Sequence, residues 1–477
     1  MATSGDFLTA FAYHSWDSKD SKDSKEKIVI IIDEFDEIYN VSVGIRDSCL
    51  STFRVARNLN HLYAIDSIIT CGTFNLLHLT TSNLRVSPFN VDFSIRNPYF
   101  TFKDTQTIFG KYAQDEGIEI DERIVQEIFH NSNGHPGMVC LCGKAIHIEL
   151  RPGIDGSQNN RLDYRTWTEF STSKLQEHIG SYKTFRRMVD ALMTDSAVEA
   201  VDLLRRDFLG RLGPRLVSDE DRKEADFLAA EGVLLERNGA YFTASAYIDM
   251  FIRRYVIPKK YPQCPSSIIP IEQEDHQDRL DVLATVKEAL PFFDKVLISQ
   301  SHARSYKKSG KAIMVDGVFN KRVPRESVYD GELSRILSSW LGSEGTYNIT
   351  GQWHLMDVDN HRYADIVIQN NEEPTVVLEL LATSGQASLL EHIKRVISYK
   401  SLLSEGKPHK AAKAWVIHFT RQDNYLKGPF WPNMEQLWDV NVVHIWHDSA
   451  FMDVRMSARW YDGGGVYHAV DNRAVDV

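Results

Sequence analysis

Residues Arg362-Tyr363-Ala364-Asp365-Ile366-Val367-Ile368 and Pro374-Thr375-Val376-Val377-Leu378-Glu379-Leu380-Leu381 make two short runs rich in β-branched residues, joined by a polar turn at 370–373. Side chains alternate along a strand. Tyr363, Asp365 and Val367 therefore share one face, and Val377, Glu379 and Leu381 share one face of the neighbouring strand. A carboxylate in an otherwise apolar strand is costly unless it is paired or bound to metal. Two that converge on paired strands predict a divalent cation site with Asp365 and Glu379 as ligands, and hard oxygen donors favour Mg²⁺.

Upstream, Glu332 lies in a helical pattern over 332–341. Downstream, 388–403 reads as a helix on which His392, Arg395, Val396 and Tyr399 fall at i, i+3, i+4 and i+7 and so share a face. A further strand spans 414–419. Helix, strand, strand with Asp, strand with Glu, helix, strand resembles the PD-(D/E)xK nuclease core, a restriction-endonuclease-like α/β domain. The resemblance implies that Asp365 and Glu379 hold a metal that activates water and stabilises the departing oxygen of a phosphodiester. It also implies that Glu332 supports the site and that Tyr399 lies near the phosphate. The family places Lys two residues after the Glu, and Leu381 stands there. Lys394 or Arg395 of the following helix is the expected replacement, with His392 as proton carrier.

The 477 residues exceed what one core supports, about 250–300. The expected division is 1–150, 151–260 and 261–477. A hydrophobic share of 43% and a charged share of 25% are those of folded globular chains. The longest apolar run, 28–32, is of strand length, so no membrane span is expected. Residues 1–10 lack a basic leader and a cleavage site, so no signal peptide is expected. Cys49, Cys71, Cys140, Cys142 and Cys264 are odd in number and scattered, which fits a reducing compartment. A net charge of −11 argues against coating nucleic acid through bulk electrostatics. The segment 394–421, with Arg395, Lys400, Lys407, Lys410 and Lys413, is either a local basic face or a solvated helix and loop.

In the first third, a polar stretch at 17–27 precedes an apolar strand, 27–32, that delivers Asp33 and Glu34 to a sheet edge. A helix over 43–60 and a strand over 67–71 complete a parallel α/β layer. Helices over 105–114, 121–130 and 138–147, the last following Gly134-His135-Pro136-Gly137, form a helical lid. Residues 151–165, with Pro152, Gly153 and Gly156, mark a boundary. Helix, helix and a hairpin turning at Asn238-Gly239 come next, over 196–257, the order of a winged helix, which either touches DNA or packs as a structural lid. A proline-rich linker, 258–270, leads to a helix over 272–290. The acidic strand resembles the Walker B region of STAND and AAA-type ATPases. The resemblance implies that Asp33 holds Mg²⁺, Glu34 orients water, Thr70 within 68–73 is a polar sensor, and Pro136 flanks an adenine. No G-x-x-x-x-G-K-[ST] occurs, and the strand begins too early for one to precede it, so ATP binding and hydrolysis are expected to be weak.

The acidic strand, the Gly-His-Pro turn, the winged-helix order and the phrases Val377-Leu378-Glu379-Leu380-Leu381-Ala382-Thr383, Glu391-His392 and Trp415-Val416-Ile417-His418-Phe419-Thr420 together resemble Crinkler-type effectors of fungi and oomycetes. That resemblance implies a secreted effector or conflict protein, in which an NTPase module regulates a DNA nuclease acting in a host nucleus. The alternatives are an inactive nuclease fold that holds DNA or a host nuclear protein, and a nucleotide-binding switch.

Overall fold

The computed structural model describes residues 4–12, 27–72, 99–154, 160–211, 213–274, 277–342, 346–357, 360–370, 373–404, 412–425, 428–433, 440–461 and 466–477. Residues 17–26 of the polar stretch, Thr73, Gly156, Lys407 and Lys410 lie outside them, as does the side chain of Tyr363. The chain divides into two compact units, one of residues 1–98 and 226–232, the other of 99–225 and 233–477. These limits differ from the expected breaks at 150 and 260.

In the first unit, β1 (Ile28–Ile32) pairs in parallel with β2 (Ile65–Thr70), as strand, helix, strand order predicts. Between them runs α1 (Val43–Asn58), whose Leu50 and Phe53 pack with Phe35 and Ile38 and with the half-buried Ile32 and Ile68. The five consecutive apolar residues of β1 read from the sequence as a buried strand, and the structure corrects that reading. Val29 is 51% exposed, Ile31 67% and Ile69 48%, because apolar residues cover only one face of the two-stranded sheet.

The second unit begins with the predicted helices. The first, α2 (Phe102–Glu116), starts at a reciprocal cap between Thr101 and Asp104; α3 (Glu122–Ser132) starts at Asp121, whose carboxylate accepts from Arg123 N at 3.1 Å. Gly134, at φ +69°, turns the chain into α4 (Pro136–Ala145), and a Cβ there would meet Phe100 O at 2.2 Å. The wing is a hairpin of β3 (Leu234–Arg237) and β4 (Ala240–Thr243), with Asn238 and Gly239 at φ 54° and 77°. Arg215 N and O exchange hydrogen bonds with Tyr241 at 2.7 and 2.8 Å and add a third edge. Then comes α5 (Ala246–Tyr255).

Residues 261–270 are irregular but tied down. Arg335 donates to Tyr261 O at 2.9 Å and Gln263 O at 2.7 Å, and Trp340 Nε1 to Ser267 O at 2.9 Å. The helix expected over 272–290 is instead a hairpin, β5 (Ile271–Glu274) with β6 (Gln277–Leu280), followed by α6 (Val282–Ala289). Asp281 caps Ala284 N at 2.9 Å and so fixes the later start. After α7 (Lys295–Arg304), β7 (Tyr306–Lys308), β8 (Met314–Val315), β9 (Val318–Phe319) and β10 (Arg322–Pro324) form a ribbon in which β7 pairs with β10 and β8 with β9.

The long helix α8 (Glu326–Trp340) leads into a seven-stranded sheet. In chain and spatial order its strands are β11 (Asn348–Asp357), β12 (Asn360–Gln369), β13 (Val376–Ala382), β14 (Lys413–Thr420), β15 (Val440–His447), β16 (Val454–Tyr461) and β17 (Tyr467–Val475). Pairing is parallel across β13, β14 and β15 and antiparallel elsewhere. The parallel step from β13 to β14 requires a crossover, supplied by α9 (Gln386–Ser404). Leu333, Ile336 and Leu337 of α8 pack with Leu378, Leu380, Ile417, Phe419 and Ile445 on one face, where Tyr329 stacks on Phe419 with ring centres 4.3 Å apart. Among the described residues no helix is long and apolar enough to cross a membrane.

Helices of the middle third join this sheet through buried ions, which is why no break falls at 260. Arg253 of α5, buried, reaches Asp249 at 2.7 Å and Asp330 of α8 at 2.9 Å. Removing one partner of a buried ion pair strands the others. Arg253→Met should lower the stability of this unit by about 3–5 kcal/mol, read as a shifted urea midpoint by tryptophan fluorescence. Replacing Arg253, Asp249 and Asp330 together by apolar residues should restore most of it.

Candidate functional site

Asp365 and Glu379 lie where β12 meets β13. The antiparallel register Ile368↔Val376, Val367↔Val377, Ile366↔Leu378 carries on to set Asp365 opposite Glu379, so both carboxylates lie on one face. Asp365 Oδ2 accepts from Leu380 N at 2.7 Å. Burial, then the charges of Glu379, Asp330 and Glu326, hold Asp365 well above the usual carboxylate range. Glu379 is 1% exposed, and burial pushes it up to about 8 against the lowering effect of Arg395.

Helix α9 covers this face and aims a short polar chain at Glu379. Arg395 Nη2 lies 2.7 Å from His392 Nε2. A guanidinium only donates, so this ring nitrogen accepts, and the ring proton sits on Nδ1, 2.9 Å from Glu379 Oε1 but out of hydrogen-bond alignment. Arg395 Nη1 is 3.3 Å from the same oxygen. Glu379 Oε2 is buried without a hydrogen-bond partner. Burial and the Arg395 charge push His392 down to about 4, so its ring is neutral at neutral pH. Tyr399, fully buried one turn beyond Arg395, lies within its electrostatic reach.

Leu381 is fully buried, and Lys394 is exposed. A cation that the sequence did not reveal lies at the end of β13. Lys307 of β7 donates to Glu326 Oε1 at 3.0 Å, Ala382 O at 3.2 Å and Ser384 Oγ at 3.0 Å, and its charge acts on His392. Glu326 and Asp330, one helical turn apart on α8, are the acids whose charges reach Asp365 and Glu379. Glu332, the helix acid chosen from sequence, is held elsewhere. Its carboxylate pairs with Arg205 at 2.5 Å and Arg335 at 3.0 Å and accepts from Asp294 N at 2.9 Å. It sits two positions past Asp330, on another side of the helix. The spacing of Glu326 and Asp330 was the available signal.

Farther along the face, Ser384 N donates to His418 Nε2 at 3.3 Å, His418 Nδ1 lies 3.0 Å from His444 Nδ1, and His444 Nε2 lies 3.1 Å from Phe430 O. Only neutral rings satisfy this order, with His418 Nδ1–H donating to His444. Burial accordingly lowers His418 far below the usual imidazole range and His444 to about 4. The segment 394–421 shows no continuous basic face among its described residues. Lys413 pairs with Glu272 at 2.8 Å, and Arg421, buried, pairs with Asp316 at 2.7 Å.

Of the nucleotide-site candidates, Asp33 and Glu34 are exposed, Glu34 is at φ 52°, and Thr70 ends β2 beside Ile32. These three belong to the first unit, whereas Pro136, first residue of α4 after the capping His135, belongs to the second. The sequence holds no G-x-x-x-x-G-K-[ST] loop, the element that cradles the phosphates of a nucleoside triphosphate.

Among the described residues no three His, Cys, Asp or Glu side chains gather as a ready metal cluster. Asp365 and Glu379 nonetheless fit Mg²⁺, which is held by one or two carboxylates with waters and substrate oxygens, and Glu379 Oε2 is a buried oxygen without a donor.

No protein-family model matches the chain, and no curated protein matches it. Among solved structures it is similar to the RuvB Holliday junction branch migration motor of Thermotoga maritima, at 15% identity and TM-score 0.29, over 51% of this chain and 72% of that one. The Walker-type ATPase of Pyrococcus abyssi matches at 15% and 0.29, over 48% and 63%. Can2 from Sulfobacillus thermosulfidooxidans, in complex with cyclic tetra-adenylate, matches at 10% and 0.17, over 82% and 81%. TM-scores this low do not establish a shared fold.

The raised carboxyls set a pH dependence. A folded pKa above the ordinary 4.5 means that the folded chain keeps a proton the unfolded chain loses, so Glu379's contribution is complete below about pH 4.5 and is lost as pH rises through about 8. His392 and His444 act in the opposite sense, but only below about pH 6.5. Melting in EDTA should therefore occur at lower temperature as pH rises from about 6.5 to about 8.5. Mn²⁺ should raise the melting temperature most at the upper end, and Glu379→Gln should flatten the metal response and reduce the pH response, the remainder coming from Asp365 and from Glu127, which burial raises to about 7.

Proposed function

We propose that the chain is a divalent-metal-dependent DNA nuclease whose site is the Asp365 and Glu379 pair. The observation that carries this reading is the meeting of two buried carboxylates on adjacent antiparallel strands, one with an unpartnered oxygen, in a helix-strand-strand-strand-helix-strand order with cations beside them. Asp365 and Glu379 would hold Mg²⁺, which when bound supplies an activated water and neutralises the departing phosphodiester oxygen. Arg395, itself held by His392, pairs with the Glu379 carboxylate, and Lys307 offers its ammonium in place of the lysine absent at Leu381. The wider reading, a Crinkler-like effector whose degenerate NTPase module regulates a nuclease in a host nucleus, rests on the sequence phrases around Glu379 and His418 and is part of the proposal.

Purified protein should degrade plasmid DNA with Mg²⁺ or Mn²⁺, and Asp365→Asn and Glu379→Gln should each abolish cleavage. Lys307→Met should slow it by about 10²–10³-fold, with Lys307→Arg partly restoring it. Plasmid left intact with both metals rejects the nuclease. The second reading, an inactive fold that holds DNA, is favoured by the buried Leu381 in the lysine slot. It predicts salt-sensitive DNA binding that survives in the Asp365→Asn/Glu379→Gln double variant, without cleavage by the wild type.

A further inference from the structure

The ribbon that delivers Lys307 has a second face. Residues 304–325 hold seven Lys and Arg against a single acid, Asp316, in a chain whose net charge is −11. Several of these cations are committed internally. Arg304 pairs with Asp221 at 3.0 Å, Lys321 pairs with Asp316, and Lys307 points at Glu326 and Ser384. Alternation along β7 turns Lys308 the other way. Lys308, Lys311 and Arg322 are exposed, and among the described residues none has an ion-pair partner.

Lys308 and Arg322 face one another across the β7–β10 pairing. Like charges directly opposite on a two-stranded ribbon are destabilising, and a polyanion is what relieves them. Arg322 also lies over the Tyr306 ring at 4.4 Å. The adjoining tip presents Val318 at 52% and Phe319 at 49% exposure, on a turn at Asp316 and Gly317 whose N–H groups both donate to Asp423 at 2.7 and 2.8 Å. The tip is thus fixed with its apolar side chains in water. Exposed cations interleaved with an exposed aromatic ring are the surface to which an unpaired nucleic-acid strand binds, phosphates on the cations and a base stacked on the ring.

We propose that the ribbon, residues 306–324, is the docking surface for a single-stranded stretch of DNA, with Lys308, Lys311 and Arg322 on successive phosphates and Phe319 under a base. The strand then runs past Lys307 toward Asp365 and Glu379. This rests on the nuclease reading and adds the element that holds the substrate.

The test is fluorescence anisotropy of a labelled single-stranded DNA oligonucleotide with the full chain in EDTA, where nothing is cleaved, across a salt series. Wild type should bind, with a log–log salt slope that becomes shallower by about 1.4 in Lys308→Glu/Arg322→Glu, since each lost phosphate contact removes about 0.7 from the slope for single strands. That variant and Phe319→Ala should each weaken binding by about tenfold or more. The single Lys308→Glu, which turns a like-charge pair into an opposite one, should melt no lower than wild type while still losing affinity. Wild type that fails to bind the oligonucleotide, variants with wild-type affinity and slope, or an RNA or duplex competitor displacing it at tenfold lower concentration than unlabelled single-stranded DNA would each overturn the proposal. Hydrolysis of bis(p-nitrophenyl) phosphate with Mn²⁺ reads the carboxylate site without the ribbon. Its loss in wild type counts against the nuclease alone, and its persistence in the ribbon variants shows the site intact.

Discussion

Two carboxylates buried side by side on one dry face cannot both stay charged without a cation, and the rest of the site is arranged around that constraint. Asp365 accepts from the Leu380 N–H and feels the charges of Arg253 and Arg395, against burial and three neighbouring acids. Glu379 has Arg395 and an imidazole on one oxygen and no hydrogen-bond partner on the other. A hydrophobic pair would pack the same strands at lower cost. Protons balance the pair as it stands, and the proposed Mg²⁺ would supply the charge in their place.

The convergence of Asp365 and Glu379 was legible because it depends only on alternation and a short turn between neighbouring strands. Helices on either side of the strands were legible for a similar reason, since their apolar spacing is local. Lys307 was not, because it meets Ala382 across 75 positions of chain and no local pattern marks it. Glu332 was misread because a charged residue in an apolar helix looks alike whether it faces a metal site or two arginines. Its partner Arg335, three residues on, was the visible clue.

The errors at 272–290 and in β1 have different causes. Over 271–280 only Ile271 and Leu280 are apolar, so that stretch carries no helical apolar stripe, and the helix pattern begins only after the Asp281 cap. For β1, five consecutive apolar residues fit a strand covered on both sides, and sequence carries no information on how many layers are present. The open side shows at Val29 and Ile31.

The buried ions that link the middle helices to the sheet bear on how the upstream segment can influence the site. A regulator that swings as a rigid body needs an interface it can leave cheaply. Arg253 is shared by Asp249 and Asp330, and Arg205 by Asp294 and Glu332, all within one compact unit. Parting the helices from the sheet would strand these charges in a dry interior. Asp330 is also one of the acids that act on Asp365. A shift of α5 would therefore bear on the carboxylate pair through the charge balance on Asp330 without parting α5 from the sheet, since α5 and the β3–β4 hairpin belong to the same compact unit as Asp365 and Glu379.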